Sequence, residues 1–218
     1  MQFHDRPHAG RLLVDKLERY RSHPNVIVLA LPRGGVPVGF EVAMGLKAPF
    51  DVFIVRKLGM PGHEEYAMGA IASGGVRVRN PEFPMKLVSM AAIEAVAARE
   101  QRELERREHL YRENRPPLAL ANRIVILVDD GLATGSTMGA AVAAVKQHAP
   151  ARCVVAVPVA PAETYARFQT EADEIVCLIT PEDFYAVGHW YKDFRQTTDD
   201  AVKALLAMAE ESTRPRIP

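Results

Sequence analysis

Two adjacent carboxylates, Asp129 and Asp130, are followed closely by Thr134, Gly135, Ser136 and Thr137. A carboxylate pair accepts hydrogen bonds from donors such as sugar hydroxyls and repels a phosphate. Hydroxyls and free amides at the start of a helix do the opposite, because the orphan N–H groups and the helix dipole favour an anion. In this order the two features suit a sugar 5-phosphate, with ribose hydroxyls on the acids and the phosphate on the turn. Other residues able to do chemistry stand elsewhere. Arg33 precedes Gly34 and Gly35, Arg56 and Lys57 form a basic pair, and His63, Glu64, Glu65 and Tyr66 are titratable groups able to assist a proton transfer. Phe184, Tyr185, Trp190, Tyr191 and Phe194 crowd one late, polar segment.

The elements that must position these groups alternate along the chain. Ile124 to Val128 is an unbroken apolar run, the pattern of a strand covered on both faces in a parallel sheet, and Met138 to Gln147 reads as the helix after the turn. Asn25 to Leu31 repeats the pattern, with a break at Pro32-Arg33-Gly34-Gly35 before a helix over Val38 to Gly45. Asp51 to Val55 is a short strand. Leu58 to Gly75 is rich in glycine and polar residues with weak periodicity, which predicts a loop. Strands over Arg152 to Val157 and Glu174 to Ile179 flank a helix over Ala162 to Thr170. The alternation predicts an α/β fold with a doubly wound parallel sheet. Amphipathic Ala9 to Tyr20 should cover a sheet edge. A charged helix over 88–114 carries an apolar stripe of Ile93, Val96, Leu104 and Tyr111, with Glu103–Arg107 and Glu108–Arg112 at i,i+4 spacing. A last helix runs from Asp199 to Glu211.

The run from Val125 to Thr137, a hydrophobic strand, two acids and a turn ending in TG-any-T, resembles the PRPP-binding signature of the type I phosphoribosyltransferases. The segments FHDRPHAGRLL, ALPRGGVPVG, VRKLGMPGHEEYAMGAI and PEDFYAVGHWYKDF extend the likeness to a bacterial subgroup of uncharacterised phosphoribosyltransferases. The resemblance implies that Asp129 and Asp130 contact the ribose hydroxyls and that Ala133, Thr134, Gly135, Ser136 and Thr137 wrap the 5-phosphate. It gives Arg33, Gly34 and Gly35 to pyrophosphate. Residues 56–75 become a flexible lid whose Arg56 and Lys57 reach the leaving group, with Glu65 and Tyr66 as catalytic candidates. Residues 181–198 become a hood in which Phe184, Tyr185, Trp190 and Tyr191 hold the acceptor base. Also implied are PRPP and a small nitrogenous base as partners, Mg²⁺ entering with PRPP rather than on a dedicated ligand cluster, a role in nucleotide salvage, and room for a homodimer. Ala133 stands where the 6-oxopurine branch has an aspartate, which argues against hypoxanthine or guanine as acceptor.

Composition narrows the field. The chain has 218 residues, 27 basic and 27 acidic, 48% hydrophobic, so one domain over 1–218 is expected and no global field attracts nucleic acid or a membrane. Cys153 and Cys177 lie in apolar runs and are expected free, no apolar run is long enough to span a membrane, and no signal peptide is evident; the expected location is cytoplasmic. A PRPP-binding regulator without transfer is the competing function, disfavoured by the retained Arg33, Arg56 and Lys57. A receiver domain fails because ILVDD is not on the first strand, and no Walker-type Gly-x-x-x-x-Gly-Lys-Ser/Thr is present.

Overall fold

Apolar runs of β-branched residues and leucine cannot face water on either side, and they become the middle of a sheet covered by helices on both faces. The computed structural model describes residues 2–80, 83–113 and 115–213, without the side chains of Glu65, Met85 and Thr213. In chain order the elements are α1 (Arg6–Lys16), β1 (Val26–Ala30), α2 (Gly35–Leu46), β2 (Phe50–Val52), β3 (Val55–Met60), β4 (His63–Ala72), β5 (Val76–Arg79), α3 (Met90–Arg112), β6 (Ile124–Val128), α4 (Ser136–Gln147), β7 (Arg152–Val159), α5 (Ala162–Glu171), β8 (Glu174–Ile179) and α6 (Asp199–Thr213). Five strands form one parallel sheet in the order β2-β1-β6-β7-β8. The period-2 alternation of each strand sorts its side chains between two cores. Val26, Val28 and Ile126 join residues of α1, α2 and α6 on one face, while Ile27, Leu29 and Val125 join residues of α4 and α5 on the other. The fold is doubly wound, as expected.

The N-terminal helix begins earlier than predicted. Asp5 caps α1 by accepting from the His8 amide at 2.8 Å, and a 3₁₀ turn over Glu18–Tyr20 follows the helix. It lies against β7 and β8, the latter an edge strand, so the expectation of edge cover holds.

The segment read as an irregular lid loop over 56–75 is instead regular. It is most of a three-stranded antiparallel sheet, β3-β4-β5, seated on α4 and α3. Its small residues hid the pattern: Gly59 and Gly69 are places where a Cβ would meet a backbone carbonyl, of Glu64 at 2.5 Å and of Val78 at 2.3 Å. The single strand expected over Asp51 to Val55 is divided between β2 and the start of β3, and β5 went unforeseen.

Helix α3 presents Val96, Leu104 and Tyr111 to the core, with Ile93 packed against it. Its Glu103–Arg107 pair forms at 2.7 Å. Arg112 does not pair with Glu108; it binds Asp51 of β2, Nη2 to Oδ2 at 3.1 Å, because both side chains are about nine-tenths buried there and a buried charge takes the partner inside. Cys153 is buried, Cys177 half-buried, and both are free. No helix among the described residues is long and apolar enough to cross a membrane.

Candidate active site

Parallel pairing puts the ends of β1 and β6 side by side: Ala30 and Val128 are register partners, and the Leu31 amide donates to the Val128 carbonyl at 2.9 Å. The turns leaving these strands therefore touch. A Cβ on Gly34 would lie 2.1 Å from Asp130 Oδ2, and one on Gly35 would lie 2.7 Å from the Val128 carbonyl and 3.0 Å from Asp129 Oδ1. Glycine is required here by contact: only without side chains can the Arg33-Gly34-Gly35 turn press against the acidic pair.

The pair is not exposed at the strand end. Asp130 is enclosed, its side chain 16% exposed, and Arg6 Nε donates to its Oδ2 at 2.8 Å. Arg6 is held in turn by the Arg195 carbonyl at 2.7 Å and by the ring of Phe194, 3.9 Å from the guanidinium. Burial raises the Asp130 carboxyl above its ordinary range, with Arg6 opposing. Asp129 has no cation in direct contact among the described residues; its Oδ1 accepts from the Asp130 amide at 2.9 Å. Burial first, and the charge of Asp130 second, push its carboxyl well above the usual range. Such a carboxylate gains most from a hydroxyl donor or a cation.

Beyond the acids, Gly135 takes a left-handed φ of 67° at the N-cap of α4. The turn is tied from behind: Thr164 Oγ1 donates to the Ala133 carbonyl at 2.8 Å, and Arg167 Nη1 to the Thr134 carbonyl at 2.9 Å. Ala133, Thr134 and Ser136 are exposed, Thr137 is half-buried, and the Thr134 and Ser136 hydroxyls meet at 3.0 Å. The first amides of α4 have no intrahelical acceptor, so the turn offers amides and hydroxyls to an anion.

Basic residues surround these turns. Arg33, half exposed, lies 3.7 Å from Asp199 of α6, whose Oδ1 also accepts from the Tyr111 hydroxyl at 2.5 Å. Arg56 donates from Nε and Nη2 to Glu100 Oε2 at 2.9 and 2.7 Å. Arg56, Lys57, Glu64, Arg99, Glu100 and Thr137 face a cavity of about 300 Å³ that joins the β3-β4-β5 ribbon to the Thr134 to Thr137 turn. Tyr66 is not in that cavity; it packs on Phe83, ring centroids 5.3 Å apart, and faces the space between ribbon and α4. The side chain of Glu65 lies outside the described residues; Glu64 is a carboxylate seen in the cavity.

Residues 181–198 fold against the N-terminus, with the Phe3 amide donating to the Trp190 carbonyl and the Lys192 amide to the Phe3 carbonyl. Tyr191, expected to stack on a base, is 4% exposed between Phe3 and Phe194 and donates its hydroxyl to the Asp130 carbonyl at 2.6 Å. It braces the acidic pair, because a phenol inserted into this cluster buries its ring and still satisfies its hydroxyl. Phe184 and Trp190 are half-buried against the same cluster, and Tyr185 is 85% exposed.

Arg6, Glu100 and Arg167 went unrecognised in the sequence. Glu100 had a signal: it falls on the apolar stripe of α3 between Val96 and Leu104, where a carboxylate needs a partner. Arg6 and Arg167 had none, since their contacts lie 124 and 33 residues away.

The family model of the phosphoribosyl transferase domain matches residues 2–192. A Mycobacterium tuberculosis protein named "Putative phosphoribosyl transferase" is 48% identical over 208 residues, which is 95% of this chain and 47% of that one. The chain thus spans about half the length of the curated relatives it matches. The crystal structure of a Thermus thermophilus protein aligns with a TM-score of 0.86 at 45% identity, over 95% of this chain and 99% of that one. A protein of Aquifex aeolicus shares the fold, with a TM-score of 0.51 at 14% identity over 84% of this chain and 78% of that one.

Proposed function

We propose, for a chain that belongs to the phosphoribosyltransferase family, transfer of the 5-phosphoribosyl group from PRPP to a nitrogenous base with release of pyrophosphate. The observation that carries this reading is the contact of the two turns: Gly34 and Gly35 lie against Asp129 and Asp130, and the turn at Thr134 to Thr137 follows at the same end of the sheet. A ribose, its 5-phosphate and a leaving group on the anomeric carbon need three such subsites in one place.

In this reading Asp129 accepts from the ribose hydroxyls, while Asp130, neutralised by Arg6, holds the wall in place. The Thr134, Ser136 and Thr137 hydroxyls and the first amides of α4 grip the 5-phosphate. Arg33 and Arg56 bring positive charge to the departing pyrophosphate, each set by a carboxylate, Asp199 or Glu100. Chemistry of this kind asks for positioning and charge stabilisation rather than a nucleophilic side chain. Among the described residues no cluster of three or more metal-ligating side chains occurs, but Mg²⁺ takes one or two carboxylates with substrate phosphates, and Asp129 fits that donor set. Bound there, Mg²⁺ would neutralise pyrophosphate as it leaves. The reading includes nucleotide salvage in the cytoplasm, in keeping with two free cysteines.

The acceptor is a base other than hypoxanthine or guanine, since Ala133 offers no carboxylate to handle a proton on a 6-oxopurine. The test is pyrophosphate release from PRPP and Mg²⁺ with a panel of purines, pyrimidines and small heterocycles. Release with one acceptor, lost in Arg56→Ala, is the expected result. Turnover of hypoxanthine at roughly 1–1000 per second would overturn the acceptor assignment. Tight PRPP binding with no base converted would make the protein a PRPP sensor.

A further inference from the structure

A cavity of about 670 Å³ runs from Ser136 along the outer face of α4 to Lys146, roofed by β4 and β5 and flanked by α5. That volume is within the range of small-molecule sites. The walls are small and apolar where they face each other: Gly69, Ala70 and Val78 on the ribbon, Gly139, Ala140 and Ala143 on the helix. Apart from Tyr66, which also lines the cavity, these walls carry no large side chain and leave a slot suited to a flat ring.

The rim has a different character. Lys57, Arg79, Lys146 and Arg167 surround the slot against one carboxylate, Glu171. Arg167 is occupied, by Glu171 at 3.0 Å and by the Thr134 carbonyl. Lys57, Arg79 and Lys146 have no carboxylate within ion-pair distance among the described residues, in a protein that pairs most of its arginines and carries no formal net charge. An excess of unpaired cations around an apolar slot favours an anion with a planar body.

We propose that this cavity is an effector site for a nucleoside polyphosphate, adjoining the substrate turns at Ser136 and Lys57 and extending away from them along α4. The base lies between the ribbon and α4, and the phosphates meet Arg79 and Lys146. Coupling runs through Arg167, whose guanidinium lies at the rim and also holds the Thr134 carbonyl. A polyphosphate drawing Arg167 toward the rim loosens the phosphate turn, so the effector lowers PRPP affinity, and PRPP lowers effector affinity by the same factor. The regulatory half rests on the PRPP reading above; the binding half does not.

The test is calorimetric titration of the full chain with ATP and with GTP, in wild type, Arg79→Glu, Lys146→Glu and Ala143→Leu, with thermal midpoint and PRPP binding as fold controls. Arg79→Glu and Lys146→Glu are expected to weaken nucleotide binding by about tenfold or more, each leaving PRPP affinity unchanged. Ala143→Leu fills the slot without touching the rim charges, and it should weaken the nucleotide too. Rising PRPP should shift the nucleotide Kd about fivefold to tenfold and then reach a plateau. Absence of binding by both nucleotides overturns the proposal. So does binding that all three variants leave intact, or that PRPP displaces without a plateau, because the nucleotide then sits in the substrate site. If PRPP does not bind at all, the transfer reading fails while the variant series still decides the effector site.

Discussion

The end of the parallel sheet and the ribbon of β3, β4 and β5 both contribute to the candidate site, but in different ways. At the sheet end, Asp129, Asp130 and the Thr134 to Thr137 turn are positioned by strand register and braced by Arg6, Tyr191, Thr164 and Arg167. Their strand is buried, their neighbour is fixed by register, and Arg6 and Asp130 pair with side chains only 9% and 16% exposed. On the ribbon, Arg56 rises from an antiparallel sheet and is aimed by Glu100, 44 residues away. Arg33, though carried by a sheet-end turn, is likewise aimed by a distant carboxylate in a loose, half-exposed pair. The sheet-end groups are thus set mainly by strand register and burial, while Arg33 and Arg56 are aimed by side-chain pairs of unequal strength, half-exposed with Asp199 and part-buried with Glu100.

The largest test of that contrast is Arg6→Ala, which leaves the Asp130 charge enclosed beside Asp129. It should cost about 3–5 kcal/mol in urea unfolding, and a loss near that of an exposed pair would show the sheet end to be no more rigid than the ribbon. Gly34→Ala should follow, at about 1–3 kcal/mol of stability, because its Cβ would collide with the Asp130 carboxylate, and PRPP affinity should fall with it. Unchanged PRPP affinity there would separate the two turns functionally.

Thr134→Ala should cost about 1–2 kcal/mol in PRPP binding by calorimetry, with the thermal midpoint kept, as a lost charge-assisted hydrogen bond. Arg33→Ala should change stability by about 0–1 kcal/mol in the same urea assay, since its pair with Asp199 is exposed and long. A larger loss would place Arg33 among the structural residues.

A last effect is confined to alkali. Burial, then the hydrogen bond to Asp199, lift the Tyr111 phenol from 10 to about 12, so the folded state holds that proton more tightly than the unfolded chain. The stability it contributes is present below the unfolded pKa of 10 and is lost as pH rises toward about 12. The thermal midpoint should fall less steeply for Tyr111→Phe than for wild type across that window; identical slopes would remove Tyr111 from the pair that orients Arg33.

The stretch from Ile124 to Thr137 could be read from sequence because its geometry is local. An apolar run forms a buried strand, the acids follow at its end, and the small residues turn the chain into a helix, all within hydrogen-bonding reach along the backbone. The same holds for Asn25 to Gly45, and the alternation of such units determined the doubly wound sheet. Only the tertiary structure decided that Arg6 neutralises Asp130, that Tyr191 braces it from a hood expected to hold a base, that Glu100 aims Arg56, and that the lid is a strand ribbon. A side chain's partner depends on which strand ends pairing brings together and which charges packing leaves enclosed, and neither is a property of neighbouring residues.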